Sequence, residues 1–306
     1  MVDDDASSGG ASGSGGLEGS DARSVASSGA GSGSGGVASS DPGSSGRRGE
    51  TWLHTSVGSA TPDRITVGGL DLPSEVMGNL SLTELTYRLV TRRSPTAGQA
   101  RVLDAVLVSL ADHGLTPSAL ATRLTYTGAP EALQGAVAAG LLGAGSVFLG
   151  PAGDTAVFLS EALDGADVRP DGPNDDLRAV ALAAVTACRD AGRRVPGLGH
   201  PVHRDGDPRV TRLYEIARAE GCAGPHLRLL EQVAEANAEL SGRRLPINGA
   251  GAGGAALVDI GIQPELVRGV VLVARTVGLV GHLAEEIDSP LGMPLWREVE
   301  ERARPE

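Results

Sequence analysis

The 306-residue chain is 41% hydrophobic and 21% charged, with a formal net charge of −12; that is enough for one large or two modest domains with a real core. All 26 of its basic residues are arginine, which excludes a Schiff-base lysine, a pyridoxal-phosphate anchor and the lysine of a P-loop. The acidic balance argues against non-specific nucleic-acid binding, which needs a dense basic face for counterion release.

Aromatic residues make up only 2% of the chain, so its core must be built from Ala, Val and Leu. The two cysteines, Cys188 and Cys222, form neither a disulfide framework nor a zinc site. The acidic start, Met-Val-Asp-Asp-Asp, has no apolar run of a signal peptide, and a cytoplasmic location is the expectation.

Residues 1–50 are more than half Gly and Ser. Such a stretch cannot bury enough apolar surface to offset chain entropy, so it reads as a disordered leader. Globular composition begins near Trp52. Thr66–Asp71 reads as a short strand or turn, its Gly-Gly suited to a hairpin. Beyond it the pattern is helical. Ser81 with Glu84 three residues on predicts a capping box for a helix through Val90. Val102, Ala105, Val106, Ser109 and Leu110 predict a helix with one buried face, closed by Asp112–His113–Gly114, where His113 suits the negative end of the dipole. Helical spacing returns at Leu133, Val137 and Leu141, over Leu177–Cys188, and at Val210, Leu213, Tyr214 and Ala217. Pro264 to about Ala284 is apolar and nearly long enough to span a membrane. Its two arginines, its histidine and its glycines instead predict a buried core helix, with no membrane partner.

Three constellations carry chemistry. Arg268, Arg275 and His282 lie seven apart on the last long helix, so all three fall on one stripe. That stripe is either a thin solvent-facing edge or the seat of a buried Arg275, which would then need an anionic partner such as a small dicarboxylate. The loop Pro196–Arg209 packs His200, His203, Arg204, Asp205, Asp207 and Arg209 between glycines and prolines; loops that size in a compact domain are usually functional. It reads as an anion-binding loop, as a metal site formed by His200, His203 and an aspartate, or as a polar surface loop. Gly249–Gly254 matches GxGxxG but follows no convincing strand, and close helix packing explains its glycines better than a dinucleotide fold.

Taken in order, five segments resemble the citrate synthase superfamily, in particular its citryl-CoA lyase branch, which includes the C-terminal module of ATP-citrate lyase. They are the ADHG turn followed by Ser118, GAGSVFLGP from Gly143, PGLGHPVHRDGDPRVTRLYE from Pro196, LPINGAG from Leu245 and ARTVGLVGHLAEE from Ala274. The resemblance runs from about Ile65 to Trp296. It implies a mainly α fold: a larger helical domain (51–149 and 246–306), a smaller one (150–245) and a site in the cleft between them. It also implies a homodimer or higher homo-oligomer.

The implied chemistry is an aldol-type change between a CoA thioester, such as acetyl-CoA, and oxaloacetate, run as synthesis or as cleavage of citryl-CoA. CoA enters as substrate, and no permanently bound cofactor or metal is expected. By motif, His200 would act on the oxaloacetate carbonyl and His113 would add a contact to the same ligand. Arg209, Arg275 and Asn248 would bind the substrate. Gly197, Leu198 and Gly199 would lie against the CoA adenine, with Arg204 toward its phosphates. Two departures stand out. Phe148 falls near the position of a synthase histidine, as it does in the lyase branch. Ala250 stands where the family's NVDG carries its aspartate base; Asp259, Glu285, Glu286 and Asp288 are the acids that could substitute. The alternative reading is an impaired member that binds CoA or keto acid as a regulatory or partner subunit.

Overall fold

The computed structural model describes residues 55–166, 174–200 and 202–303; the Gly/Ser-rich leader expected over 1–50 lies outside them. The first elements are three short antiparallel strands, β1 (Gly58–Ala60), β2 (Ile65–Val67) and β3 (Leu70–Asp71), paired Ser59 with Thr66 and Thr66 with Asp71. The β2–β3 turn is Gly68–Gly69, both at positive φ, as a tight two-residue hairpin requires. β1 was not anticipated. Arg88 donates from Nε to the Gly68 carbonyl and ties this small sheet to the helices.

The remaining architecture is helical. Helix α1 (Leu82–Thr91) begins at the Ser81/Glu84 capping box. Helix α2 (Ala97–Leu110) starts five residues before the Val102 read from periodicity, because Thr96 and Gln99 form a second capping box. Helices α3 (Pro117–Gly128) and α7 (Pro225–Ser241) were not singled out in the sequence; each starts with a proline at its first position, where the missing N–H costs nothing. Helix α4 (Leu133–Leu163) is broken at Gly145, whose φ of 52° and ψ of −154° lie outside the helical region. Helices α5 (Asn174–Asp190), α6 (Pro208–Ala219), α8 (Gly249–Asp259), α9 (Pro264–Asp288) and α10 (Gly292–Arg302) complete the set. One apolar cluster runs from Tyr87 through Leu159, Leu177, Leu230 and Leu257 to Ala274, built of aliphatic side chains with few rings.

Helix α8 holds this arrangement together. It packs against α2, α4, α6, α7 and α9, and its glycines permit the approach. A Cβ on Gly251 would lie 2.5 Å from the Gly197 Cα, and one on Gly254 would lie 2.2 Å from the Ala152 carbonyl oxygen. The GxGxxG pattern is therefore a packing surface. Helix α9 uses the same device once: a Cβ on Gly278 would meet the Ala111 carbonyl oxygen at 2.1 Å, so α9 lies directly on the end of α2. The expectation of a core helix is met on one side of α9 only. Val267, Val270, Ala274 and Leu279 are buried, while Val273, Val277, Val280 and Ile287 face outward.

Gly251→Ala should lower stability by about 1–3 kcal/mol through overpacking, even though alanine favours a helix by about 1 kcal/mol. Chemical denaturation checks this; unchanged or raised stability would show that α8 and the Gly197 loop do not touch in this way.

Candidate active site

Four segments converge. The turn after α2 carries Asp112 and His113, the loop before α6 carries Gly197 to Asp207, α6 opens with Arg209, and α9 contributes Arg275 and His282. The loop is fixed to the chain before α8. Leu198 bridges Ile247, Gly199 N–H donates to the Pro246 carbonyl (2.7 Å), and Asn248 N–H donates to the Gly197 carbonyl (3.0 Å). Gly197 and Gly199 both have φ near +80°, a turn conformation side-chain-bearing residues avoid. Asn248, expected to touch substrate, is engaged at both ends of its amide. Its Oδ1 caps α8 by accepting from Gly251 N–H (2.8 Å), and its Nδ2 donates to the Gly199 carbonyl (2.8 Å). Its visible work is to position the loop against the helix.

Three imidazoles from two of these segments gather in one place. The His200 ring centroid lies 4.6 Å from that of His203 and 5.4 Å from that of His113. One ring nitrogen from each falls within 4.8 Å of the others, which invites comparison with the metal site weighed from the sequence. The third member is His113, however, and not an aspartate; of the loop's two aspartates, Asp207 is committed to Arg209 and the Gly249 N–H. The hydrogen bonding of His200 also points away from ligation. Its Nδ1 accepts from the backbone N–H groups of Val202 (3.1 Å) and His203 (3.0 Å). A ligating imidazole carries a proton on its other nitrogen and gives it to an acceptor; here that nitrogen faces two donors. Nδ1 is therefore the lone-pair nitrogen, and Nε2 carries the proton. Burial, then the neighbouring His203, lowers the His200 pKa, with Asp207 opposing and His113 and Arg209 adding to it. The ring is a neutral Nε2–H donor at neutral pH.

Arg209 is held by Asp207, whose side chain is fully buried. Arg209 donates to it from Nε (2.9 Å) and Nη2 (2.7 Å), and Gly249 N–H donates to the same carboxylate (2.8 Å). Burial raises the Asp207 pKa, but the hydrogen bonds from Arg209 and Gly249 and the arginine's charge outweigh it and hold the carboxyl at about 2. The third arm of Arg209, Nη1, reaches the Ser109 carbonyl (3.3 Å). Three of the elements around the site thus meet on one ion pair.

Arg275 is 8% exposed. Its nearest carboxylate oxygen, on Asp112, is 3.7 Å from Nη1, beyond hydrogen-bond distance. Among the described residues nothing accepts a hydrogen bond from its Nε or Nη1. Burial lowers its pKa, Asp112 opposes that, and the charge of Arg209 adds to it. Arg268, one stripe position earlier, is exposed. The edge and buried-cation readings of the stripe each describe part of it.

Asp112 was missed by the sequence reading, which stopped at His113. Its carboxylate accepts from Gly114 N–H (2.7 Å) and pairs with His282 Nε2 (2.9 Å). Burial raises its pKa, and the Gly114 N–H, His282 and the His113 N–H more than reverse that. A signal was present: an acid just past a helix C-terminus opposes the dipole and needs a compensating partner.

Ala250 is the second residue of α8 and brings no carboxylate. Of the acids that could replace it, Asp259 caps α7 and Glu286 is buried against Arg123 and the N–H groups of Leu291 and Gly292. Glu285 binds Arg123 on the surface side, and Asp288 is exposed at the end of α9. Beside the loop, a cleft of about 570 Å³ is lined by Arg204, Asp205, Val210, Arg244 and Ile247.

Residues 59–297 match the family described as citrate synthase, C-terminal domain. Among curated proteins the chain is 23% identical over 270 residues to ATP-citrate synthase beta chain protein 1 of Arabidopsis thaliana, covering 82% of this chain but 42% of that protein. This chain thus spans less than half the length of that relative. Among solved structures, citryl-CoA lyase from Hydrogenobacter thermophilus is 30% identical with a TM-score of 0.69, over 78% of this chain and 88% of that one. ATP citrate lyase from Methanothrix soehngenii, in complex with citrate and coenzyme A, shares the fold at 21% identity and a TM-score of 0.65, over 79% of this chain and 40% of that one.

Asp207 has a folded pKa below its unfolded value, so it contributes stability that is fully present above about pH 4 and is lost as pH falls toward 2. Asp207→Asn should therefore lower stability at pH 7 and remove up to roughly 2 kcal/mol of the acid-side slope. Urea titrations at stepped pH read this directly, and an unaltered slope would contradict it.

Proposed function

The chain belongs to the citrate synthase family, and on that footing we propose that it makes or breaks a carbon–carbon bond between a CoA thioester and oxaloacetate, in the manner of a citryl-CoA lyase or a citrate synthase. The observation that carries this reading is Arg275, a buried guanidinium with unoccupied donors. Such a cation is costly without an anion and well shaped for a carboxylate. Arg209 supplies a second positive charge near it. His200 supplies a neutral hydrogen-bond donor beside Arg209. A small keto dianion satisfies all three, with its carboxylates on the guanidinium groups and its carbonyl on His200 Nε2.

In the synthetic direction, Arg275 and Arg209 hold oxaloacetate while His200 polarises its carbonyl toward the attacking carbon. In the cleaving direction, the same Nε2–H donor accompanies the hydroxyl as it becomes a carbonyl. His113, in the imidazole group, adds a contact to the ligand. CoA enters as a substrate along the Gly197–Gly199 backbone, with Arg204 in the adjoining cleft toward its phosphates. The solved structure of a homologous fold with citrate and coenzyme A bound supports that class of ligand.

A second reading is favoured by Ala250. Generation of an acetyl enolate needs a base at the thioester's α-carbon; α8 has an alanine at position 250, and its one carboxylate, Asp259, is held at the start of α7. A member that binds CoA and keto acid without turnover, as a regulatory or partner subunit, fits the same geometry. Calorimetric titration of oxaloacetate and CoA, beside a citryl-CoA cleavage assay, separates the two. The enzyme reading expects binding and turnover, and binding with no turnover would select the second. Under either, Arg275→Leu should weaken oxaloacetate binding by about 10- to 100-fold, the worth of a charged hydrogen-bond pair, while CoA binding is kept. Unchanged oxaloacetate affinity would refute the placement of the keto acid.

For the assembly we propose a homodimer or higher homo-oligomer. Leu142 and Val147 of α4 are 82% and 75% exposed, and Val277 of α9 is 62% exposed with Val273 and Val280 beside it. Apolar faces of that kind mark association surfaces. Sedimentation should show a dimer or larger oligomer that Val277→Arg dissociates; a monomeric wild-type chain would overturn this.

A further inference from the structure

We propose that the cleft between α4, α7 and the start of α9 is a second, hydrolytic site, in which Ser160 is the nucleophile of a Ser160–His226–Asp259 triad acting on neutral or cationic esters. It does not depend on the reading given for the first site and shares none of its residues. The three side chains come from three elements. Ser160 lies in the last turn of α4, His226 in the first turn of α7 and Asp259 at the end of α8.

The spacing suits acyl transfer. Ser160 Oγ lies 3.2 Å from His226 Nε2, and His226 Nδ1 lies 2.8 Å from Asp259 Oδ1. The hydrogen bonds settle the direction of both contacts. Asp259 already accepts from the N–H groups of Gly224 (2.9 Å), His226 (2.9 Å) and Leu227 (3.0 Å). Ringed by donors, its oxygens act as acceptors, so the imidazole proton sits on Nδ1 and points at them. That leaves the Nε2 lone pair facing the serine hydroxyl, which donates to it. Nucleophile, base and orienting acid thus stand in the order acyl transfer needs, recognised by geometry and not by chain position. Capping α7 would require only Asp259; it requires neither the serine on the far side of the ring nor space in front of it.

That space exists. A cleft of about 660 Å³ opens on Ser160 and His226. Pro264 and Glu265 form one wall, where α9 begins without a side-chain cap. Pro264 has no N–H and the Leu266 N–H is taken by the Gln263 carbonyl (2.9 Å), which leaves the positive end of the dipole and the Glu265 N–H for an oxyanion. Val157 and Leu163 give the cleft an apolar wall, and Glu161, Asp164 and Glu265 give it negative charge. The carboxylates select against anionic acyl compounds, CoA thioesters included, and favour an uncharged ester or one bearing an ammonium group.

The step balances without a cofactor. Ser160 Oγ bonds to the acyl carbon while its proton passes to His226 Nε2. Collapse of the adduct breaks the ester C–O bond, and the alcohol leaves with that proton. A water then attacks the acyl-serine and gives a proton to Nε2, and the acid departs as the Ser160 hydroxyl is restored.

The test treats the full chain with a fluorophosphonate probe and maps any adduct by mass spectrometry, beside hydrolysis of 4-nitrophenyl acetate and acetylcholine. The proposal expects an adduct on Ser160 and hydrolysis of both esters, reduced about 100-fold or more by Ser160→Ala in protein whose melting is unchanged. A wild-type chain that takes no adduct, an adduct on another residue, or hydrolysis retained in Ser160→Ala would each overturn it. His226→Gln gives a second reading that leaves the serine in place: loss of labelling supports the triad, and full labelling contradicts it.

Discussion

A guanidinium almost out of water, with two of its nitrogens lacking an acceptor, is the constraint around which the described structure is arranged. A buried unpaired cation opposes folding, so its retention at Arg275 needs a compensating cause. Asp112 supplies part of it at 3.7 Å, too far for a hydrogen bond yet close enough to matter in a partly dehydrated site. Asp112 is itself held by His282 and the Gly114 N–H. What Asp112 leaves uncompensated, an anionic ligand can complete. Binding energy is then available from a group already fixed in place, with little side-chain ordering left to oppose it.

The approach of the elements is governed by missing side chains. Gly278 lets α9 lie on the Ala111 carbonyl, which brings Arg275 and His282, one turn to either side, up to Asp112. Gly251 lets α8 meet the Gly197 loop, and a Cβ on Gly249 would come within 2.8 Å of the Arg209 guanidinium. Helix propensity is sacrificed at each of these positions, and the return is a set of close backbone contacts that place charged groups from distant segments. The Asp207–Arg209 pair then locks the loop, α6 and α8 together.

Local signals made much of the helical architecture legible. The Ser81 capping box, the Gly68–Gly69 turn and the long apolar run of α9 each declare themselves within a few residues. Helices α3 and α7 carry the same kinds of signal, a proline at the first position, in α3 the Thr116 cap, and in α7 the helical spacing of Leu227, Leu230 and Val233, so both were legible and were passed over. The site was harder. Spacing alone left Arg275 between a solvent edge and a buried cation, because a seven-residue repeat records a stripe but not what covers it; Arg268 and Arg275 share the stripe and differ in burial. That His200, Arg209 and Arg275 belong together came from the order of five motifs and not from periodicity. The contacts of Asp112 with His282, of Ser160 with His226 and of His226 with Asp259 join residues 170, 66 and 33 positions apart, and no local pattern encodes them.

Ala250 marks where this chain parts from the family pattern, and the surrounding acids show why the difference is chemical. Asp207 is neutralised by Arg209, and Asp259 and Glu286 are tied to helix starts. The guanidinium groups of the proposed site are in place while no base stands at position 250, so recognition of the keto acid is the claim on which everything else rests. The most direct measurement is a crystal structure with oxaloacetate bound. The account predicts a carboxylate on the free Nε and Nη1 of Arg275 and the keto oxygen within hydrogen-bond distance of His200 Nε2. Oxaloacetate bound elsewhere, with those arginine nitrogens still bare, would contradict it.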